Sequence, residues 1–174
     1  MNKPVDSTVK TVGILSDTHG RLPVAVFAAL EECDYLIHAG DIGATRILRE
    51  LETIAPVYAV LGNNDYAEYG EAVGQFALPV IEGVRFIVAH YLQDIQAALK
   101  GAGPVHPGDP LPQIGVYGHT HVPAILTGAD AGCTQALICP GSVAYPRGGS
   151  KPSVAKLTLC DGRVGDIHIE ELPR

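Results

Sequence analysis

Residues 10–20, KTVGILSDTHG, pack a β-rich apolar run, four polar residues and a glycine into one short segment. An apolar run of this length closed by turn-forming residues reads as a buried strand, Lys10 to Leu15. The same arrangement recurs twice downstream. A helix over Pro23 to Glu32, with Pro23 in its first turn, leads to a strand over Asp34 to His38. A second helix over Ala44 to Thr53 leads to a third strand over Val57 to Leu61. This βαβαβ rhythm places the chain in the α/β class, with a parallel sheet covered by helices. Each strand runs into glycine-flanked polar residues: Ser16-Asp17-Thr18-His19-Gly20, Gly40-Asp41-Ile42-Gly43 and Gly62-Asn63-Asn64-Asp65. Sites in open α/β sheets form beyond the carboxyl ends of the strands.

The second half has a different character. Phe76 to Ile81 and Val84 to Ala89 flank Glu82-Gly83, a two-residue hairpin signal. A helix over Leu92 to Lys100 precedes a Gly/Pro-rich loop beginning at Gly101. Strands follow at Ile114 to Tyr117, Ala124 to Leu126 and Gln135 to Ile138, and a hairpin turns at Asp161-Gly162 between Ser153 to Leu159 and Val164 to Glu170. One domain over residues 1–174, holding two facing sheets, accommodates all of these elements.

Composition narrows the function. The chain has 174 residues, 47% hydrophobic and 18% charged, which suits a compact core. Its formal charge of −7 argues against nonspecific binding to nucleic-acid backbone, which needs a basic surface. No apolar run reaches membrane-spanning length, and the N-terminus lacks a signal-peptide core, so a cytoplasmic location is expected. Cys33, Cys133, Cys139 and Cys160 form no C-x-x-C pair and read as reduced thiols.

The polar strand ends supply the chemistry. Asp17 and His19 stand two residues apart, as do His119 and His121 in Gly118-His119-Thr120-His121. Alternate residues of an extended segment point the same way, so each pair can aim at one point. An isolated H-x-H is more often a polar strand end than a metal site. Here, however, Asp41, Asn63 and His90 close three further strands. These seven oxygen and imidazole donors suit Mn²⁺, Fe, Zn²⁺, Ni²⁺ or Co²⁺ rather than Ca²⁺. They are too many for one tetrahedral ion and suit two ions sharing a carboxylate, the arrangement that clamps phosphate esters for in-line displacement.

The ordered set D-x-H, G-D, G-N-x-D, H and G-H-T-H resembles the calcineurin-like metallophosphoesterase superfamily. Within it, the short chain and the SDTHG motif resemble the small stand-alone phosphodiesterase branch, to which the retromer phosphoesterase-like subunit also belongs. The resemblance implies a four-layer α-β-β-α sandwich of two mixed β-sheets flanked by helices. It also implies that Asp17, His19 and His121 hold one ion, that Asn63, His90 and His119 hold the other, and that Asp41 bridges them. The cofactor is then two divalent transition-metal ions, manganese first, with nickel, iron, zinc or cobalt as alternatives. Asp41, Asn63 and His90 would be catalytic, and a hydroxide between the ions would attack a phosphodiester in line.

Other residues take roles around that set. Larger relatives carry a histidine where this chain has Asn64, which cannot donate a proton as imidazolium does. Asn64 and Arg147 are candidates for substrate binding, and His38 and Asp65 for support of the ligands. Tyr91 stands where relatives commonly have glycine. Tyr66, Tyr69 and Tyr145 read as packing residues able to stack on a ring. The expected partner is a small phosphodiester, a nucleotide among the candidates, with homo-oligomerisation left open. A non-catalytic interaction module and a phosphomonoesterase are the competing readings.

Overall fold

The computed structural model describes residues 9–173. Chain order runs β1 (Lys10–Leu15), α1 (Val24–Leu30), β2 (Tyr35–His38), α2 (Thr45–Glu52) and β3 (Val57–Ala59). There follow β4 (Phe76–Ala77), β5 (Val80–Ile81), β6 (Val84–Ala89), α3 (Leu92–Leu99), β7 (Ile114–Val116), β8 (Ala124–Thr127) and β9 (Ala136–Cys139). The hairpin β10 (Ser153–Cys160) and β11 (Arg163–Glu171) completes the order. One sheet reads β11-β10-β1-β2-β3 and the other β4-β6-β7-β9-β8, with β5 also on β6. Each is mixed: β1-β2-β3 and β6-β7-β9 are parallel, and the outer neighbours are antiparallel.

Side-chain alternation along the strands makes the layers. Val12 and Ile14 of β1, Ile37 of β2, Phe86 and Val88 of β6 and Ile138 of β9 fill the space between the sheets. The intervening residues face outward: Leu15 and Leu36 pack with Val26, Leu30, Ile47 and Leu51 of α1 and α2. On the other sheet, Ile87 and Leu137 pack with Ile95 and Ala98 of α3. Two-sided burial explains the near-continuous apolar runs, since a parallel strand covered on both faces has no solvent side to mark. The result is the expected α-β-β-α sandwich. No helix among the described residues is long and apolar enough to cross a membrane.

Three details differ from the sequence expectation. Phe76 to Ile81 is two short strands rather than one, broken at Leu78-Pro79. Pro79 has no N–H to give the ladder, though its carbonyl still accepts from Phe86 N at 2.9 Å. The third strand stops at Ala59, and Val60 makes only an isolated bridge to Gly74. The first helix begins at Val24, with Pro23 just before it in an extended conformation. The two hairpin turns follow the primed geometry, with positive φ at Glu82 and Gly83 and at Asp161 and Gly162.

Candidate metal centre

Beyond the carboxyl ends of β1, β2, β3, β6 and β7 the two sheets converge, and all seven candidate ligands lie there. The Nε2 atoms of His19 and His121 are 3.3 Å apart, and His121 Nε2 is 3.2 Å from Asp17 Oδ1. Asp41 Oδ2 is 3.6 Å from Nε2 of both His19 and His90. Asn63 Oδ1 is 3.0 Å from His90 Nε2 and 3.0 Å from His119 Nδ1. Asp17, Asp41, His90 and His121 are buried, His19 is half-buried, and Asn63 and His119 are exposed. The cluster therefore opens to solvent on the Asn63–His119 side.

The backbone holds this arrangement at a cost. Asp17, His19, Asp41, His119 and His121 all have φ between 45° and 67°, the left-handed region. The two other non-glycine residues with positive φ among the described ones are the hairpin residues Glu82 and Asp161. Such conformations cost on the order of 1 kcal/mol or more each and persist where the surroundings over-determine them. Here the determinants are visible. Asp17 N donates to Gly40 O at 3.0 Å, His19 N to Asp41 O at 2.9 Å, and His119 N to Asp17 Oδ2 at 3.1 Å across the sheets. Gly62 and Gly118 permit this closeness, because a Cβ on either would collide with Asp41 Oδ1 or Ser16 Oγ.

Hydrogen bonds also select the tautomers. His90 Nδ1 is 2.7 Å from Ala39 O and His121 Nδ1 is 2.6 Å from Tyr145 O. A carbonyl only accepts, so both Nδ1 atoms carry protons and both Nε2 lone pairs face the cluster. Asp17 Oδ1 is buried without a hydrogen-bond partner among the described residues. Burial pushes the Asp17 carboxyl above its usual range, against the Ser16 hydroxyl and the neighbouring His90 and His121. An orphaned carboxylate oxygen beside imidazole lone pairs is a set of acceptors with no donor, which a cation satisfies. Donor atoms of Asp17, His19 and His121 lie within 4.8 Å of one another, as do those of Asp17, Asp41 and His90. The residues thus fit a divalent metal.

The residues expected around the ligands fall into place differently. Asp65 accepts from the N–H groups of Ile42, Gly43 and Gly62 at 3.0, 2.9 and 2.8 Å and from Tyr69 OH at 3.0 Å. Burial alone would raise its carboxyl; these donors outweigh it and hold it below the ordinary value. It ties the Asp41 loop to the Asn63 loop, and none of its hydrogen bonds among the described residues goes to a histidine. Asn64, considered for substrate, lies against Asp41: its backbone N–H donates to Oδ1 at 2.8 Å and its amide to Oδ2 at 2.7 Å. Arg147 is exposed, with its N–H on His121 O at 3.1 Å. Burial lowers the His119 imidazole, and His90 and Arg147 lower it further. Tyr91 packs on His119 and His90, with ring centroids 4.5 and 5.3 Å away.

Sequence reasoning assigned no role to Thr18 or Ser142. Ser142 Oγ donates to Asp17 O at 2.8 Å and accepts from Tyr145 N at 2.8 Å, fixing the carbonyl that orients His121. Thr18 Oγ1 is 3.0 Å from His38 Nε2 and donates to Ile42 O at 2.8 Å. The signal available was that Thr18 alternates with Asp17 and His19 and so faces away from them, toward the loop behind.

His38 is buried, and its Nδ1 accepts from Gly40 N at 3.2 Å, so the ring is neutral with its proton on Nε2. Burial pushes its pKa down to about 4. The unfolded chain, with a histidine pKa of about 6.5, therefore takes up the proton first as pH falls. His38 contributes its full stability above about pH 6.5 and loses it between there and about pH 4, at up to ~1.4 kcal/mol per pH unit. In chelator-stripped protein, His38→Gln should therefore lose about 2 kcal/mol less than wild type between pH 7 and pH 5. Urea unfolding at the two pH values measures this, and equal losses would assign the acid sensitivity to other groups.

Comparison with known proteins agrees with this geometry. Residues 11–162 match the family model of the calcineurin-like phosphoesterase superfamily domain. A probable metallophosphoesterase of Methanothermobacter thermautotrophicus is 36% identical over 166 residues, covering 91% of this chain and 90% of its own. A phosphodiesterase of Methanocaldococcus jannaschii is 27% identical over 129 residues, covering 63% of this chain and 72% of its own. The structure of vacuolar protein sorting 29 from Cryptosporidium parvum shares the fold at 17% identity, with a TM-score of 0.68 over 93% of this chain and 97% of that one. With its motifs, layers and converging strand ends accounted for, this chain belongs to the calcineurin-like phosphoesterase superfamily.

Proposed function

We propose that this protein is a phosphodiesterase that works with two divalent transition-metal ions, manganese foremost. One ion would be held by Asp17, His19, His121 and Asp41, and the other by Asp41, Asn63, His90 and His119. The observation that carries this reading is the position of Asp41 Oδ2, 3.6 Å from the Nε2 of one residue of each set. When bound, such a pair of ions polarises phosphoryl oxygens and lowers the pKa of water, supplying a nucleophile at neutral pH.

The chain's own residues do the rest. Ala39 O and Tyr145 O keep the His90 and His121 lone pairs aimed inward. Asn64 holds the Asp41 carboxylate with two N–H donors, and Asp65 locks the two loops on which Asp41 and Asn63 sit. Exposed Asn63 and His119 leave an approach from solvent, and Arg147 adds a positive charge there for a phosphate oxygen. Because Asn64 stands where an imidazolium would protonate the leaving group, substrates with good leaving groups are favoured. The relative named as a phosphodiesterase supports a diester.

Protein stripped with chelator and reloaded with Mn²⁺ should regain turnover of bis(4-nitrophenyl) phosphate by on the order of 10²-fold. It should act on 4-nitrophenyl phosphate at least about tenfold more slowly. A faster monoester reaction would make the protein a phosphomonoesterase, and no response to any transition metal would make it a non-catalytic module.

A further inference from the structure

A cavity of about 230 Å³, walled by Pro23, Val143, Ala144, Pro152, Leu172 and Pro173, has Arg21 as the charged side chain on its lining and reaches the metal centre through the contacts of that arginine. The Arg21 guanidinium sits over the Tyr145 ring, 5.4 Å from its centroid, and that ring meets His19 edge-on at 5.5 Å. Ion pairs of the described residues occupy Lys10, Arg46, Lys151 and Lys156 and leave Arg21 without a carboxylate. The loop carrying Val143 and Ala144 continues into Tyr145, whose carbonyl receives the His121 proton. One loop thus shapes the cavity and supports a metal-site histidine.

We propose that this cleft binds the ring-bearing substituent of the substrate, so that the protein selects aryl or nucleoside phosphate esters over alkyl ones. The inference rests on the phosphodiesterase reading of the adjoining centre. Its physical basis is the character of the walls. Proline and aliphatic faces bury a flat apolar body, while Tyr145, outside the lining, backs Arg21 between the cavity and His19. The Arg21 N–H groups, placed over the tyrosine ring, can meet carbonyl oxygens at the edge of a base. The volume is below the ~300–1,000 Å³ of sites that enclose drug-sized ligands, and so suits a single ring system. A methyl ester would leave the walls wet and Arg21 unused.

Calorimetry on manganese-loaded protein with methyl phosphate, phenyl phosphate and thymidine 5′-monophosphate tests the cleft by binding alone. Wild type should bind the two ring-bearing esters about tenfold or more tightly than methyl phosphate, the usual effect of one aromatic stack. Arg21→Leu and Tyr145→Ala, both at exposed positions, should each bring that preference to within about twofold. Thymidine monophosphate bound more tightly than phenyl phosphate identifies a nucleoside, and equal binding identifies any aryl ring. Equal binding of all three esters by wild type, or a preference that survives both substitutions, overturns the proposal. Turnover of bis(4-nitrophenyl) phosphate by the same preparation reports separately on the catalytic reading. An active protein without ring preference sinks the cleft alone, and an inert one with ring preference sinks only the diesterase assignment.

Discussion

Asp41→Asn should lower diester turnover by on the order of 10³-fold, about 4 kcal/mol in barrier, while the metal-free protein remains as stable as wild type. The two halves of that expectation have separate causes. Asp41 Oδ2 lies 3.6 Å from Nε2 of both His19 and His90, nearer than Asp17 Oδ1 at 3.9 and 4.0 Å, so its loss would remove the ligand proposed as common to both sets. The metal-free fold, by contrast, raises the Asp17 carboxyl, first through burial and further through the charge of the neighbouring Asp41. Asparagine relieves that repulsion and still accepts the Asn64 backbone N–H through its carbonyl oxygen. Steady-state kinetics at saturating Mn²⁺ and urea unfolding in chelator measure the two quantities. Near wild-type turnover would sink the shared-ligand assignment.

His119→Ala and His121→Ala should each bind about one equivalent of manganese where wild type should bind two, and each should lose turnover by on the order of 10²-fold. Their stabilities should differ. His121 is buried and donates to Tyr145 O at 2.6 Å, so alanine strands that carbonyl and costs about 1–3 kcal/mol. His119 is exposed, and its removal should cost little. Elemental analysis after identical metal loading, with chemical denaturation alongside, separates the two effects. If both variants lose all metal, the histidines share one ion; if both keep two equivalents, neither is a ligand.

Much of this was legible because burial leaves a trace in composition. The run Val12 to Leu15 announces a two-sided strand, and Gly62-Asn63-Asn64-Asp65 announces a polar strand end. The break at Pro79 was legible too, since proline cannot serve the ladder, but the apolar run around it masked the signal. Other features leave no trace. The partners of His90 and His121 are the carbonyls of Ala39 and Tyr145, and every residue has a carbonyl. The left-handed backbone at Asp17, His19, Asp41, His119 and His121 is hidden because glycine is its usual marker and these residues are chosen for their side chains. Asn64 illustrates the remaining gap. Its place beside the site could be read from sequence, whereas its two hydrogen bonds to Asp41 depend on how the loop after β3 approaches the loop after β2.

The crossing of the cluster from one sheet to the other bears on how the protein stays folded. His19 follows the first sheet's β1 and His121 the second sheet's β7, 102 positions apart in the chain. An ion gripped by both, as proposed, would be a fastener between the halves of the sandwich, closing a long loop much as a disulfide would. The four cysteines are all free. A cell that keeps thiols reduced can still draw this clasp tight or slacken it through the metal it supplies, and the melting temperature should follow the free metal concentration.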